Sequence, residues 1–180
     1  RFSAYLKKLN LKKGDRVAAY TPNKIECVIC FLACAKNGFI WSSCSPDFGV
    51  QGVVDRFRQI NPKVLITSDY YFYNGKKINI LEKVDQILKK IPSIFKTIVF
   101  HYDKNNKKDV KDHVSFDETL KSNLDEIFEK FEFNHPIYIL YSSGTTGKPK
   151  CITHGTGNVL IEHNKEFMLH CDIRSGDRLF

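Results

Sequence analysis

Between residues 16 and 101, short apolar runs alternate with helix-like stretches, and few architectures accept that rhythm. Residues 16–20, 39–42, 63–67 and 95–101 each read as a strand. Helical segments fill the intervals. Residues 2–9 read as the end of a helix, and Gly14-Asp15 is a turn feeding the first strand. Pro22 and Asn23 open an apolar helix that runs to Asn37 and is closed by Gly38. Residues 49–60 read as a helix stopped by Pro62. Residues 78–91 show the helical period, with Ile80, Leu81, Val84, Ile87, Leu88 and Ile91 apolar. The pattern predicts an α/β fold, a mixed sheet with a parallel portion flanked by helices.

Residues 103–135 are polar, charged and only intermittently apolar, and are expected to form a long surface connection with one or two short helices. After them the apolar run 136–141 leads into a loop rich in hydroxyls, and 149–154 resumes as extended chain. Residues 158–171 are helix-like, entered through Gly155, Thr156 and Gly157. Gly176-Asp177-Arg178 echoes Gly14-Asp15-Arg16, an echo too short to count as a repeat. The first residue is Arg1 and the last, Phe180, falls where a strand should begin, so the chain reads as a piece of a larger domain.

With 42% hydrophobic and 27% charged residues, the chain is apolar enough to bury one core and too apolar to be disordered. The net charge of +8 raises nucleic acid, anionic membrane and polyanionic small molecules as partners. Its distribution argues against the first two, because basic residues are mixed with acids and amides, as in Asp103-Lys104-Asn105-Asn106-Lys107-Lys108-Asp109. Cys27, Cys30 and Cys34 share one helix face within an apolar run, without a second CxxC pair or a nearby histidine ligand. Buried reduced thiols are therefore expected rather than zinc, with a reducing cytoplasmic (cytosolic) setting as the default. The apolar run before Lys36 is too short to cross a bilayer. A targeting segment preceding Arg1 stays open.

The loop Tyr141-Ser142-Ser143-Gly144-Thr145-Thr146-Gly147-Lys148-Pro149-Lys150 carries the chemistry. Two glycines free the backbone to turn several N–H groups toward one point, and an anion-binding concavity results. Ser142, Ser143, Thr145 and Thr146 add rotatable donors, and Lys148 and Lys150 add charge. Pro149 biases Lys148 toward extended backbone, so the chain leaves as a strand. The combination suits a triphosphate. It is not a Walker A loop: Ser142 stands where the first glycine belongs, Pro149 replaces the Ser or Thr after lysine, and strand-like residues follow where a helix should begin. A flexible Ser/Thr/Gly turn is the plainer alternative, less well suited to a position between two apolar strands.

Other constellations carry less. Asp47-Phe48-Gly49 matches the kinase magnesium triplet, but the remaining kinase motifs are missing, and a turn opening a helix is the better account. His163 and His170 share a helix face with no carboxylate partner, and read as non-ligating. Tyr70, Tyr71, Phe72 and Tyr73 beside Lys76 and Lys77 could stack a base, although packing is the commoner role for such a group.

YSSGTTGKPK resembles the phosphate-binding signature of the adenylate-forming enzymes, a superfamily of acyl-CoA synthetases, luciferases and peptide-synthetase adenylation domains. Residues 14–20 with Pro22-Asn23 look like that family's early strand and helix. Residues 41–49, 55–60 and 62–65, and the end from Glu162-His163 to Leu169-His170-Cys171-Asp172, are similar to its acetoacetyl-CoA synthetase branch in particular. The resemblance implies a fragment of the AMP-binding N-terminal domain over residues 1–180, without the small C-terminal domain. It implies a ligase whose small-molecule substrates are acetoacetate, ATP with Mg2+, and CoA. Ser142, Ser143, Gly144, Thr145, Thr146, Gly147 and Lys150 would hold the ATP phosphates, and Lys148 joins them by proximity alone. Cys151 replaces the glycine that often follows the last lysine. Lys76 and Lys77 fall near where relatives place basic residues against the CoA 3′-phosphate. No catalytic side chain and no protein metal ligand is expected within these residues. The acyl pocket, the ribose-binding aspartate, the hinge and the adenylation lysine would lie beyond Phe180. The alternatives are a synthetase for acetate or another short acid, or a nucleotide-binding module without turnover.

Overall fold

The structure, a computed structural model, describes residues 1–102, 113–123, 127–143 and 147–179. Helix α1 (Phe2–Lys8) precedes strand β1 (Arg16–Tyr20), helix α2 (Ile25–Asn37) and strand β2 (Ile40–Cys44). Helix α3 (Val50–Ile60), strand β3 (Val64–Ser68), the strands β4 (Tyr70–Tyr73) and β5 (Lys76–Asn79), and helix α4 (Leu81–Lys90) follow. Then come β6 (Lys96–Phe100), β7 (His113–Ser115), α5 (Phe116–Thr119), β8 (Pro136–Ser142), β9 (Lys150–Gly155), α6 (Thr156–Lys165) and a π-helical turn, Glu166–His170.

Seven strands form one sheet in the order β7-β6-β3-β1-β2-β8-β9. Its neighbours are parallel except for β8 and β9, an antiparallel hairpin at one edge. Parallel strands are covered on both faces and need apolar residues on both. β1 satisfies this by alternation: Val17 and Ala19 pack with α1, α2 and α5, while Ala18 and Tyr20 pack with α3 and α4. Consecutive crossover helices α2 and α3 therefore lie on opposite faces. At the carboxyl ends of β1 and β2 the chain departs in opposite directions, and a crevice opens between the two departures.

Strand and helix assignments from sequence agree with the structure across residues 2–68 to within a few residues. Gly38 closes α2 in the left-handed region at φ 69°. α3 ends on Asn61, also left-handed, one residue before Pro62. The predicted helix 78–91 is shorter, because residues 76–79 pair with 70–73 instead. Asn74 and Gly75 have φ of 48° and 73°, the positive pair that a tight two-residue hairpin demands. In the connection expected over 103–135, α5 is one of the short helices and β7 adds a strand parallel to β6. Residues 103–112 and 124–126 lie outside the described set. The helix expected over 158–171 starts at Thr156 and loosens into the π-turn after Lys165. No strand forms at 176–179 among the described residues. The Gly-Asp echo does share a turn: Asp15 Oδ2 accepts the Lys12 N–H at 2.8 Å, and Asp177 Oδ2 accepts the Arg174 N–H at 2.6 Å.

Candidate functional site

β8 runs parallel to β2, with Tyr138 opposite Trp41, so the hydroxyl loop leaves the sheet at the same carboxyl edge as the crevice. The loop closes the β8–β9 hairpin, whose last pair is Ser142 with Lys150. Ser143, Gly147, Lys148 and Lys150 are exposed and Ser142 is half-buried. Gly147 has φ 148° with open space where a side chain would stand, so the demand for glycine is one of backbone conformation. Gly144, Thr145 and Thr146 lie outside the described residues. The described part of the loop thus presents two lysines, Ser143 and Gly147 to solvent beside the half-buried Ser142, a set with the donors and charge to meet an anion.

The base of the loop is anchored from below. Ser42 of β2, fully buried, donates from Oγ to the Ile139 carbonyl at 2.9 Å and lies 3.1 Å from the Tyr141 hydroxyl. Burial holds the Tyr141 phenol above its ordinary range, opposed by the Ser42 hydrogen bond and the Arg56 charge. The Arg56 guanidinium stacks over Phe48 at 4.2 Å and faces the Tyr141 ring at 5.9 Å. Gln59 Nε2 donates to the Pro149 carbonyl at 2.9 Å.

Beside the loop, the crevice at the ends of β1 and β2 has a volume of about 300 Å3. Thr21 and Pro22 form one wall, Ser43, Cys44 and Asp47 another, and Tyr71 of the β4–β5 hairpin a third. The turn that carries Asp47 is held firmly. Tyr20 Oη, fully buried, reaches the Pro46 carbonyl at 2.9 Å and the Phe48 carbonyl at 2.7 Å. Asp47 accepts from Tyr71 Oη and from Ser45 Oγ, each at 2.9 Å. Burial, and then the Asp47 contact, raise the Tyr71 phenol. Burial pushes the Cys44 thiol up to about 12, so it lines the crevice as a neutral group.

The aromatic group divides. Tyr70 stacks on Tyr102 at 4.6 Å and carries Lys77 Nζ over its ring at 3.8 Å, a packing role. Tyr71, Phe72 and Tyr73 line the crevice, with Phe72 and Tyr73 more than half exposed. Lys76 and Lys77 are exposed on β5, the partner strand of that wall. Asp47 opens the way into α3 as expected, and its link to Tyr71 was not legible in the sequence. Ser42, Arg56 and Gln59 were missed as loop supports, since each reaches it across more than 80 residues of chain. Among the described residues no three His, Cys, Asp or Glu side chains are placed to hold a metal, His163 and His170 are exposed, and Cys27, Cys30, Cys34, Cys44, Cys151 and Cys171 are free. No helix among the described residues is long and apolar enough to cross a membrane.

Residues 1–179 match the family of AMP-binding enzymes. The acetoacetyl-CoA synthetase of Macaca fascicularis is 43% identical over 99% of this chain, and the acetoacetyl-coenzyme A synthetase of Rhizobium meliloti is 44% identical over all of it. The solved acetoacetyl-CoA synthetase from Streptomyces lividans superposes with a TM-score of 0.94 at 37% identity, covering 99% of this chain. The chain spans 28% of the length of the two curated relatives and 27% of the solved one.

Proposed function

The chain belongs to the AMP-binding enzyme family, and from that premise we propose that the protein carrying it is an AMP-forming acid–thiol ligase acting on acetoacetate. The observation that carries the proposal is the exposed Ser/Gly/Lys loop on the carboxyl edge of a parallel sheet, beside a crevice at the reversal of crossover direction. In the first half-reaction a carboxylate oxygen of acetoacetate attacks the α-phosphorus of ATP. The bond to the bridging oxygen breaks and pyrophosphate leaves with its electron pair. In the second, CoA sulfur attacks the acyl carbonyl and AMP departs.

Within this scheme the residues of this chain bind and orient. Ser142, Ser143, Gly147 and Lys150, with Gly144, Thr145 and Thr146 outside the described residues, hold the β- and γ-phosphates and stabilise charge on the leaving pyrophosphate. Lys148 stands close enough to assist. The crevice, with Phe72 and Tyr73 at its rim and Lys76 and Lys77 on the adjoining strand, is suited to the nucleotide end of CoA. Mg2+ would enter with the nucleotide and offset the charge of its phosphates. Residues 1–180 form part of the adenylating domain. The acyl pocket and the adenylation lysine belong to further polypeptide, in keeping with the greater length of the relatives.

The test is pyrophosphate release by the full-length protein with acetoacetate, acetate and longer acids in parallel. Release should be fastest with acetoacetate, and Lys150→Ala should lower it about 10²-fold, as loss of one charge-stabilising donor does elsewhere. Residues 1–180 alone should release none. A preference for another acid would overturn the substrate, and no release with any acid would overturn the ligase.

A further inference from the structure

α3 supports the loop from two places on one face. Arg56 meets the ring of Tyr141, which leads into the loop, and Gln59, three residues on, meets Pro149, which leads out. The Gln59 contact is the more specific. Its Nε2 donates to the Asp55 carbonyl at 2.7 Å, within the helix, and to the Pro149 carbonyl at 2.9 Å, 90 positions further along the chain. Both partners are carbonyls that only accept, so the amide meets them through its nitrogen alone, and both of its protons are committed. Pro149 has no N–H, which leaves its carbonyl as the one polar backbone group it offers. Ladder pairing of the outgoing limb begins only at Lys150, opposite Ser142. Between α3 and this limb lies a groove of about 260 Å3, with Lys148 on one side and Gln59 on the other.

We infer that Gln59 is a positioning residue: by holding the Pro149 carbonyl it fixes the direction in which Gly147, Lys148 and Lys150 face, and so sets the affinity of the loop for the polyphosphate of ATP without touching it. The inference rests on the phosphate-binding reading of the loop. It gives a surface glutamine, otherwise a solvated residue of a helix flank, a role in nucleotide affinity.

The experiment uses the full-length protein with two substitutions. Gln59→Met keeps the length and helix propensity of the side chain and removes the donor. Gln59→Glu keeps the shape and turns an acceptor toward the carbonyl. Gln59 is exposed, so both variants should fold. ATP binding is measured by calorimetry, and KM is measured separately for ATP and for the acid, with Tm as the control for structure. Loss of a neutral hydrogen bond corresponds to a change of about threefold to tenfold in an equilibrium. Gln59→Met should weaken ATP binding and raise KM for ATP by that factor, and Gln59→Glu by at least as much. KM for the acid should stay within twofold and Tm within 2 °C or so. ATP affinity within twofold of wild type in both variants overturns the inference. So does a lowered Tm accompanied by reduced kcat with KM for ATP unaltered, the signature of a structural role. Wild-type protein that fails to bind ATP overturns the loop reading and this inference together. ATP binding without turnover overturns only the ligase.

Discussion

Removal of the Ser42 hydroxyl tests how the edge hairpin is joined to the rest of the sheet. β1 and β2 pair at five positions, Arg16 with Ile40 through Tyr20 with Cys44, whereas β2 and β8 share one, Trp41 with Tyr138. A side chain supplements that short seam: Ser42 Oγ, fully buried, donates to the Ile139 carbonyl at 2.9 Å and contacts the Tyr141 hydroxyl at 3.1 Å. In Ser42→Ala the buried carbonyl loses a donor, which costs about 1–3 kcal/mol. The half-buried phenol loses a partner and can recover part of it from water, adding about 0.5–1 kcal/mol. The expected loss is about 1.5–4 kcal/mol, with almost no cavity, since one oxygen is removed. Urea unfolding of the 180-residue chain measures it, as a lower midpoint with an unchanged slope. Tyr141→Phe should cost about 1 kcal/mol, and the double variant less than the sum by about 0.5–1 kcal/mol, because both changes break one contact. A Ser42→Ala loss under 0.5 kcal/mol, or strict additivity in the cycle, would refute the account of the seam.

Two further expectations concern the core. Gly38→Ala places a side chain on a left-handed residue, at about 1–2 kcal/mol, and directs it at the Phe131 ring, whose Cζ would lie 2.8 Å away. Thermal unfolding should show a loss of at least 2 kcal/mol or so, and a neutral result would mean that Phe131 does not pack there. The second is alkaline. Burial raises the thiols of Cys30, Cys34 and Cys44, the last from 9.0 to about 12. A folded value above the unfolded one gives stability that is whole below pH 9 and is lost as pH climbs toward the folded value, by up to about 1.4 kcal/mol per pH unit per group. Cys44→Ala should therefore flatten the fall in stability between pH 9 and 12, and parallel curves for the two proteins would contradict the burial of that thiol.

What the sequence made legible follows from the range of the forces involved. Strand and helix identities over residues 2–68 rest on periodicity and on punctuation by Gly38 and Pro62, all local, and these agree with the structure. The β4–β5 hairpin was signalled locally too, by Asn74-Gly75, but Ile78 and Ile80 fit the period of the helix that follows and drew residues 78–79 into it. The loop's composition stood out because it sits in ten consecutive residues. Its supports did not, since Ser42, Arg56 and Gln59 meet it only after the sheet has formed, and β8 lies beside β2 with 97 positions separating Ser42 from Ile139. The crevice was equally hidden, because it belongs to the crossover order of α2 and α3 and to no single segment.

That order also explains why the loop's geometry is inherited from the core. Val53, Phe57 and Ile60 fix α3 against the sheet, and the next positions round the helix, Arg56 and Gln59, are the ones that reach Tyr141 and Pro149. The apolar stripe decides how α3 is rotated, and that rotation decides where the loop is held. On the proposed reading the hydroxyls and lysines supply affinity for phosphate, while the limb that carries Lys148 and Lys150 is held by a helix about 90 residues earlier in the chain. A transplanted YSSGTTGKPK segment would carry the first property into a new protein and leave the second behind.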